Sequence, residues 1–203
     1  MSPESTLARI HQAARKEFRE RGFRGASLRS IVKSVGMTTG AFYGYYRSKE
    51  ELFAALVEAH YQYILSRFCQ AQASFAQLPK RQQPEALPDA SGACMFDILH
   101  YAYAHLEDCQ LLLCSAEGTR FAGLIDEMVQ IETDATHDYF RVLEDLGRPV
   151  PDIDLRLEHI LITGMFHTFF ELIIHAMPLS EAKNYLREMR AFYTAGWMNI
   201  MGQ

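Results

Sequence analysis

Residues 27–50 read SLRSIVKSVGMTTGAFYGYYRSKE, three helix starts set apart by glycine. Ser27 is a good N-cap, and Leu28, Ile31, Val32 and Val35 recur at spacings that give one apolar face. Gly36 ends that short helix. Thr38 opens another, in which Ala41 and Phe42 face back to a core. Ser48-Lys49-Glu50-Glu51 has the spacing of a capping box, with Glu51 placed to reach the Ser48 backbone, and it starts a fourth helix predicted to run to about Phe75. Ahead of these lies a longer helix predicted from Pro3 to Arg21, whose Leu7, Ile10, Ala14 and Phe18 share a face. Pro3 suits its first turn and Gly22 the residue just past its end. Two short helices joined by a tight glycine turn, behind a longer one, form a helix-turn-helix pattern. The second of the pair is of a size to enter the major groove of DNA.

The remaining chain is predicted to be helical too. Prolines fall at 3, 79, 84, 88, 149, 151 and 178, and the gaps between them leave room for long helices. Asn-Gly and Asp-Gly hairpin turns are missing, as is sustained apolar alternation, so the fold class is all-α. Residues 77–91 hold three prolines and several polar side chains and are expected to form a loop or linker. Further helices are expected at about 92–107, 109–117, 120–146, 153–177 and 180–201, divided by Gly118, Gly147 and Pro178. Ile160–Met177 is apolar nearly all round and must be covered on more than one side.

Composition narrows the function classes. The chain has 203 residues, 49% of them hydrophobic and 22% charged, which suits a packed core and argues against disorder. No apolar run is expected to span a membrane, since Ile160–Met177 carries His167, Glu171 and His175. The first residues lack a signal-peptide stretch, which points to a cytoplasmic protein. Cys69, Cys94, Cys109 and Cys114 are too scattered for a disulfide framework and contain no CxxC pair. The net charge of −5 hides an asymmetry: residues 1–49 hold ten Lys/Arg against three Asp/Glu, and the rest hold ten against 22. A basic head on an acidic body suggests that the head meets a polyanion.

The motif residues resemble the TetR family of bacterial transcription regulators. Those that carry the resemblance are Phe18, Gly22 and Phe23; Ser27, Leu28 and Ile31; Val35 to Thr38, Gly40, Phe42 and Tyr43; and Tyr46, Ser48, Lys49, Glu50 and Leu52. The dense match covers roughly residues 7–60. The resemblance implies a three-helix DNA-binding domain at 1–48, followed at 49–203 by a helical domain that binds a small molecule and forms a homodimer. It implies that Phe42 and Tyr46 pack inward, that Thr38 caps the recognition helix, that Thr39, Tyr43 and Tyr45 face DNA, and that Lys49 meets a phosphate. Arg29, outside the apolar set of its helix, is placed to reach a phosphate or groove edge. Thr39 stands where the family often has lysine, and Gly44 where it often has histidine.

For the second domain, an apolar last pair of helices in an acidic body needs a partner surface. Two such helices from each of two chains would make a four-helix bundle burying Phe169, Leu172, Ile173, Tyr193 and Trp197. A ligand pocket is mostly apolar with a few polar handles. His100, Tyr103, Glu117, His137 and His167 are candidate handles, and Phe96, Leu99, Phe121, Met128, Phe166 and Phe170 candidate walls. His167, Glu171 and His175 step by four, which raises the alternative of a metal-dependent enzyme. Against it, HExxH is absent and no nucleophile–base arrangement is evident, and no cofactor or metal is expected. The expected function is a repressor that leaves a palindromic operator when its effector binds, an expectation that rests on the family resemblance.

Overall fold

A computed structural model describes residues 5–90 and 92–200, so the predicted role of Pro3 lies outside the described residues. Every regular element among them is helical. In order they are α1 (Thr6–Gly25), α2 (Leu28–Ser34), α3 (Thr39–Phe42), α4 (Lys49–Ala76), a short 3-10 turn (Lys80–Gln82), α5 (Gln83–Ala90), α6 (Gly92–Ala104), α7 (Leu106–Cys114), α8 (Leu124–Asp145), α9 (Leu155–Ile174) and α10 (Leu179–Ile200). The expected loop at 77–91 is therefore largely helical. Pro84 sits in the first turn of α5, where its missing N–H has no intrahelical partner to lose.

The chain divides into two compact units. Unit 1 joins Met1–Tyr63 to His105–Gly123, and unit 2 joins Ile64–Ala104 to Leu124–Gln203. The division falls inside α4 rather than at residue 48, and α7 returns to unit 1.

Unit 1 is held by local caps and one aromatic cluster. Ser5, Ser27 and Thr38 accept from Ala8, Ser30 and Ala41 backbone N–H groups, which caps α1, α2 and α3. Gly36 has φ 71°, and the N–H groups of Gly36 and Met37 reach Lys33 and Val32 carbonyls, so α2 ends in a Schellman turn. Ser48 accepts from Glu51 N–H, but the Glu51 carboxylate turns to the Arg47 N–H at 2.6 Å, one residue earlier than expected. Phe18 meets Phe53 edge-on at 4.9 Å, Phe53 meets Phe23 at 5.3 Å, and Tyr61 meets Phe121 at 5.4 Å. Buried Glu17 accepts from Ser27 N–H and Ser30 Oγ, both at 2.9 Å, which ties α1 to the start of α2.

α7 is clamped to α1 by charge. Asp108 accepts from Arg15 Nε at 2.6 Å and Nη2 at 2.8 Å. His60 Nε2 stands 3.6 Å away. Burial opposes the Asp108 charge, but hydrogen bonds from Arg15 and His60 outweigh it and hold the carboxyl at about 2. The folded value lies below the ordinary 3.8, so the stabilisation is fully present above pH 3.8 and fades as pH falls toward 2. Asp108→Asn is expected to destabilise unit 1 by about 1–3 kcal/mol at neutral pH, with the deficit shrinking in acid. Chemical denaturation of both proteins across that range checks this, and a deficit unchanged at the acid end would refute it.

Unit 2 packs α8 on α9, α10 on α6 and α9, and α6 on α5 and α9. Phe68 meets Phe166 edge-on at 5.3 Å. Tyr103 donates to the carbonyl oxygens of Leu172 at 2.9 Å and Met177 at 2.6 Å, so α6 fastens the end of α9. The expectation about membrane-spanning runs gives way at α9, which is long and apolar enough to cross a bilayer by length and composition. In the fold it buries Ile162, Phe166, Phe169, Phe170, Leu172 and Ile173 within the unit.

Candidate nucleic-acid interface and ligand cavity

The helix-turn-helix presents a small polar surface. Phe42 is fully buried and anchors α3, while Thr39, Tyr43 and Tyr45 are exposed on it and on the turn that follows. Arg29 and Thr38 are exposed as well. α3 is only four residues long, and Gly44 lies in the turn after it, so the penalty for glycine inside a helix does not arise. Tyr46 is half-buried, and its hydroxyl pairs with His11 Nε2 at 2.5 Å. Burial, with Arg15 nearby, lowers the His11 pKa, which keeps the ring neutral beside α3. Arg9 donates to the Val35 carbonyl at 2.7 Å and fixes the turn between the two helices against α1.

Lys49 is placed differently from expectation. Its ammonium donates to the carbonyls of Phe23 at 2.8 Å and Ala26 at 3.1 Å, and lies 4.5 Å from the Phe23 ring centre. It closes the end of α1, where Gly22 takes φ 64° and leaves carbonyls without helical partners. The motif's lysine thus has a structural task.

Unit 2 contains a cavity of about 160 Å³. Phe68, Phe75, Phe96, Tyr139, Phe166, Phe169 and Trp197 line it, with Met95, Met165, Met189 and Met198. Its polar groups include Gln72, Glu132, Arg190 and Tyr193. Of the eleven expected ligand residues, Phe96 and Phe166 stand here. Leu99, Met128 and Phe170 fill the core instead, and His100 and His167 are exposed. Tyr103 holds the end of α9, and His137 pairs with buried Glu158 at 2.8 Å. Glu117 pairs with Arg24 at 2.7 Å on the surface of unit 1, and Phe121 belongs to the aromatic cluster of that unit. Glu132, Gln72 and Arg190 are not legible from the letters alone, because each sits on a helix whose charged residues read as a solvated face.

The expected dimer residues are also redistributed. Phe169, Leu172 and Ile173 are at most 4% exposed within the single chain, because the all-round apolar α9 turns that side to its own core. Tyr193 and Trp197 line the cavity. The exposed apolar side chains are Leu155, Leu157 and Ile160 on α9 and Tyr185 and Phe192 on α10, with open space beside Gly164 and Gly196. The His167, Glu171 and His175 row is not drawn together. His175 pairs with Glu171 at 2.8 Å on the surface, and no three metal-ligating side chains converge among the described residues.

The family described as bacterial regulatory proteins, tetR family, matches residues 10–56. The transcriptional regulator UidR of Escherichia coli K12 is 38% identical over 65 residues, which are 32% of this chain and 33% of its own length. The transcriptional repressor NemR of the same organism is 43% identical over 42 residues, 21% of each chain. The chain thus matches no more than about a third of the length of these curated relatives. A TetR-family regulator of Streptomyces coelicolor shares the fold with a TM-score of 0.57 and 16% identity, over 97% of this chain and 92% of that one. Residues 10–56 thus match the tetR family of bacterial regulatory proteins, the capped helix-turn-helix lies within that match, and the chain that follows is all-helical.

Proposed function

We propose that the chain is a transcription regulator that acts in the cytoplasm as a homodimer. It represses by occupying a palindromic operator and leaves it when a small molecule enters the unit 2 cavity. The observation that carries this is the set of outward side chains on a rigidly capped α3: Thr39, Tyr43 and Tyr45, with Arg29 beside them on α2. Similarity to known regulators and a repressor supports it. Thr39 offers a methyl to thymine, the tyrosines offer hydroxyls and ring faces, and Arg29 offers charge to phosphate or guanine. The exposed apolar side chains of α9 and α10 supply the dimer face, and a two-fold dimer meets two half-sites. An effector in the cavity releases DNA to the extent that it binds the DNA-incompetent arrangement more tightly.

Selection from a random duplex pool, followed by salt titrations, tests this reading. The selected sequence is expected to be palindromic. Tyr43→Ala is expected to weaken binding to it by about 1–3 kcal/mol. Arg29→Ala is expected to reduce the salt slope by about one per monomer. Failure to enrich any duplex would sink the regulator reading. Wild-type affinity in Tyr43→Ala would move the contact surface off α3.

A further inference from the structure

The unit 2 cavity is chemically lopsided. Aromatic rings and methionine sulfurs make most of its wall, and among the described residues one carboxyl, that of Glu132, enters it from α8. The partner of that carboxyl is a neutral amide: Gln72 Nε2 on α4 donates to Oε2 at 2.5 Å. Among the described residues the other charged group in the wall is Arg190 on α10, which has an interaction of its own. Its guanidinium lies against α6 where Gly92 leaves room, since a Cβ there would collide with Arg190 Cζ. The Glu132 carboxylate thus accepts a hydrogen bond from a neutral amide in a wall made mostly of rings and thioethers.

We propose that this cavity binds a compact hydrophobic organic cation, a single-ring amine or its quaternary equivalent, whose positive centre pairs with Glu132. The assignment rests on the reading of the cavity as the effector site and names the chemistry of the effector. A carboxylate held in an apolar wall is costly unless it is paired, and a cation relieves that cost where a neutral guest does not. Ring faces attract the positive end, and thioethers adapt to the apolar body. The size agrees: the cavity measures about 160 Å³, and an engineered cavity of about 150 Å³ accepts benzene. An anionic guest would meet Glu132 as a like charge.

The same carboxyl makes the binding sensitive to pH. Burial pushes Glu132 up to about 7, and the Gln72 hydrogen bond restrains the rise. A cation needs the ionised form, so its affinity climbs as pH rises through that value and levels off above it. Several other groups share this wall or sense its charge. Gln72 on α4 is neutral, and Cys94 on α6, which feels the Glu132 charge, has its thiol pushed by burial to about 12. Tyr139 on α8, Tyr193 and Arg190 on α10, and Met165, Phe166 and Phe169 on α9 share the wall with it.

Calorimetric titration of the full chain without DNA tests the proposal with benzylamine, its neutral isostere ethylbenzene, and phenylacetate. Benzylamine is expected to bind ~10-fold or more tighter than ethylbenzene at about pH 8. Its affinity is expected to fall roughly 10-fold toward about pH 5.5, a range in which the amine keeps its proton. Glu132→Gln should erase both the preference and the pH slope while leaving ethylbenzene unchanged. The wild-type pH profile carries the test even if that variant folds poorly. Equal or tighter binding of ethylbenzene or phenylacetate, a benzylamine affinity flat with pH, or no binding of any of the three overturns the proposal. These outcomes are independent of DNA, so they stand apart from failure of the regulator reading, which shows as failure to select a duplex.

Discussion

Replacing Phe18 with alanine is expected to cost about 3–5 kcal/mol and to lower the melting temperature by roughly 10 °C. Phe18 is fully buried and meets Phe53 edge-on at 4.9 Å, with the Phe23 ring at 6.0 Å. Removing it leaves a void that its neighbours fill poorly, because Phe23 is tied at its backbone by Lys49 and by the Ser115 carbonyl at 2.8 Å. The lost rings are those that set α1 against α4, so DNA binding should fail with stability. Calorimetric melting and a duplex-binding assay on the same sample check both effects. A loss below about 1 kcal/mol would mean that the cluster is more pliable than its ring geometry implies.

A second large effect is expected at the dimer face. Ile160→Asp combined with Phe192→Asp should raise the dimer dissociation constant by ~10³-fold or more, since two carboxylates per chain would lie in an apolar interface. Ile160 is 63% exposed and Phe192 73% exposed in the single chain, so the monomer fold should survive. Sedimentation should show a folded monomer by the criterion of an unchanged helical spectrum. A dimer persisting in the double variant would place the interface on another surface. By contrast Phe169→Asp, in a side chain 1% exposed, is expected to unfold unit 2 rather than merely dissociate the dimer.

What the sequence disclosed was local. Ser27, Thr38 and Ser48 are caps because each bonds a backbone N–H three residues away, and such short-range chemistry is written in adjacent letters. Gly36 was legible for the same reason, since a left-handed residue ends a helix wherever it stands. The family resemblance implied an outward Tyr43, and that side chain is exposed beside buried Phe42. What stayed hidden depended on distance along the chain. α9 is apolar on most sides, so its letters do not say which side meets its own core: Phe169, Leu172 and Ile173 lie inside, and Leu157 and Ile160 are exposed. Glu132 looks like any acidic residue of an amphipathic helix until Gln72, 60 positions earlier, is set against it. Lys49 matched a motif position whose role depends on two carbonyls more than 20 residues away.

The return of α7 to unit 1 bears on how the protein is made. Arg15 and Asp108 are 93 positions apart, as are Arg24 and Glu117, so the cover of unit 1 is synthesised long after its first helices. From Tyr63 to Gly123 the ribosome adds about 60 further residues, a delay of about 3–12 s at ordinary elongation rates. During that interval α1 to α3 and the first part of α4 have been made, with their aromatic cluster lacking Phe121 and their Arg15 lacking Asp108. A nascent chain stalled before residue 105 thus carries a helix-turn-helix without its clamp. The last contacts that close unit 1, Arg15 to Asp108 and Phe53 to Phe121, are therefore made only after that segment has been translated.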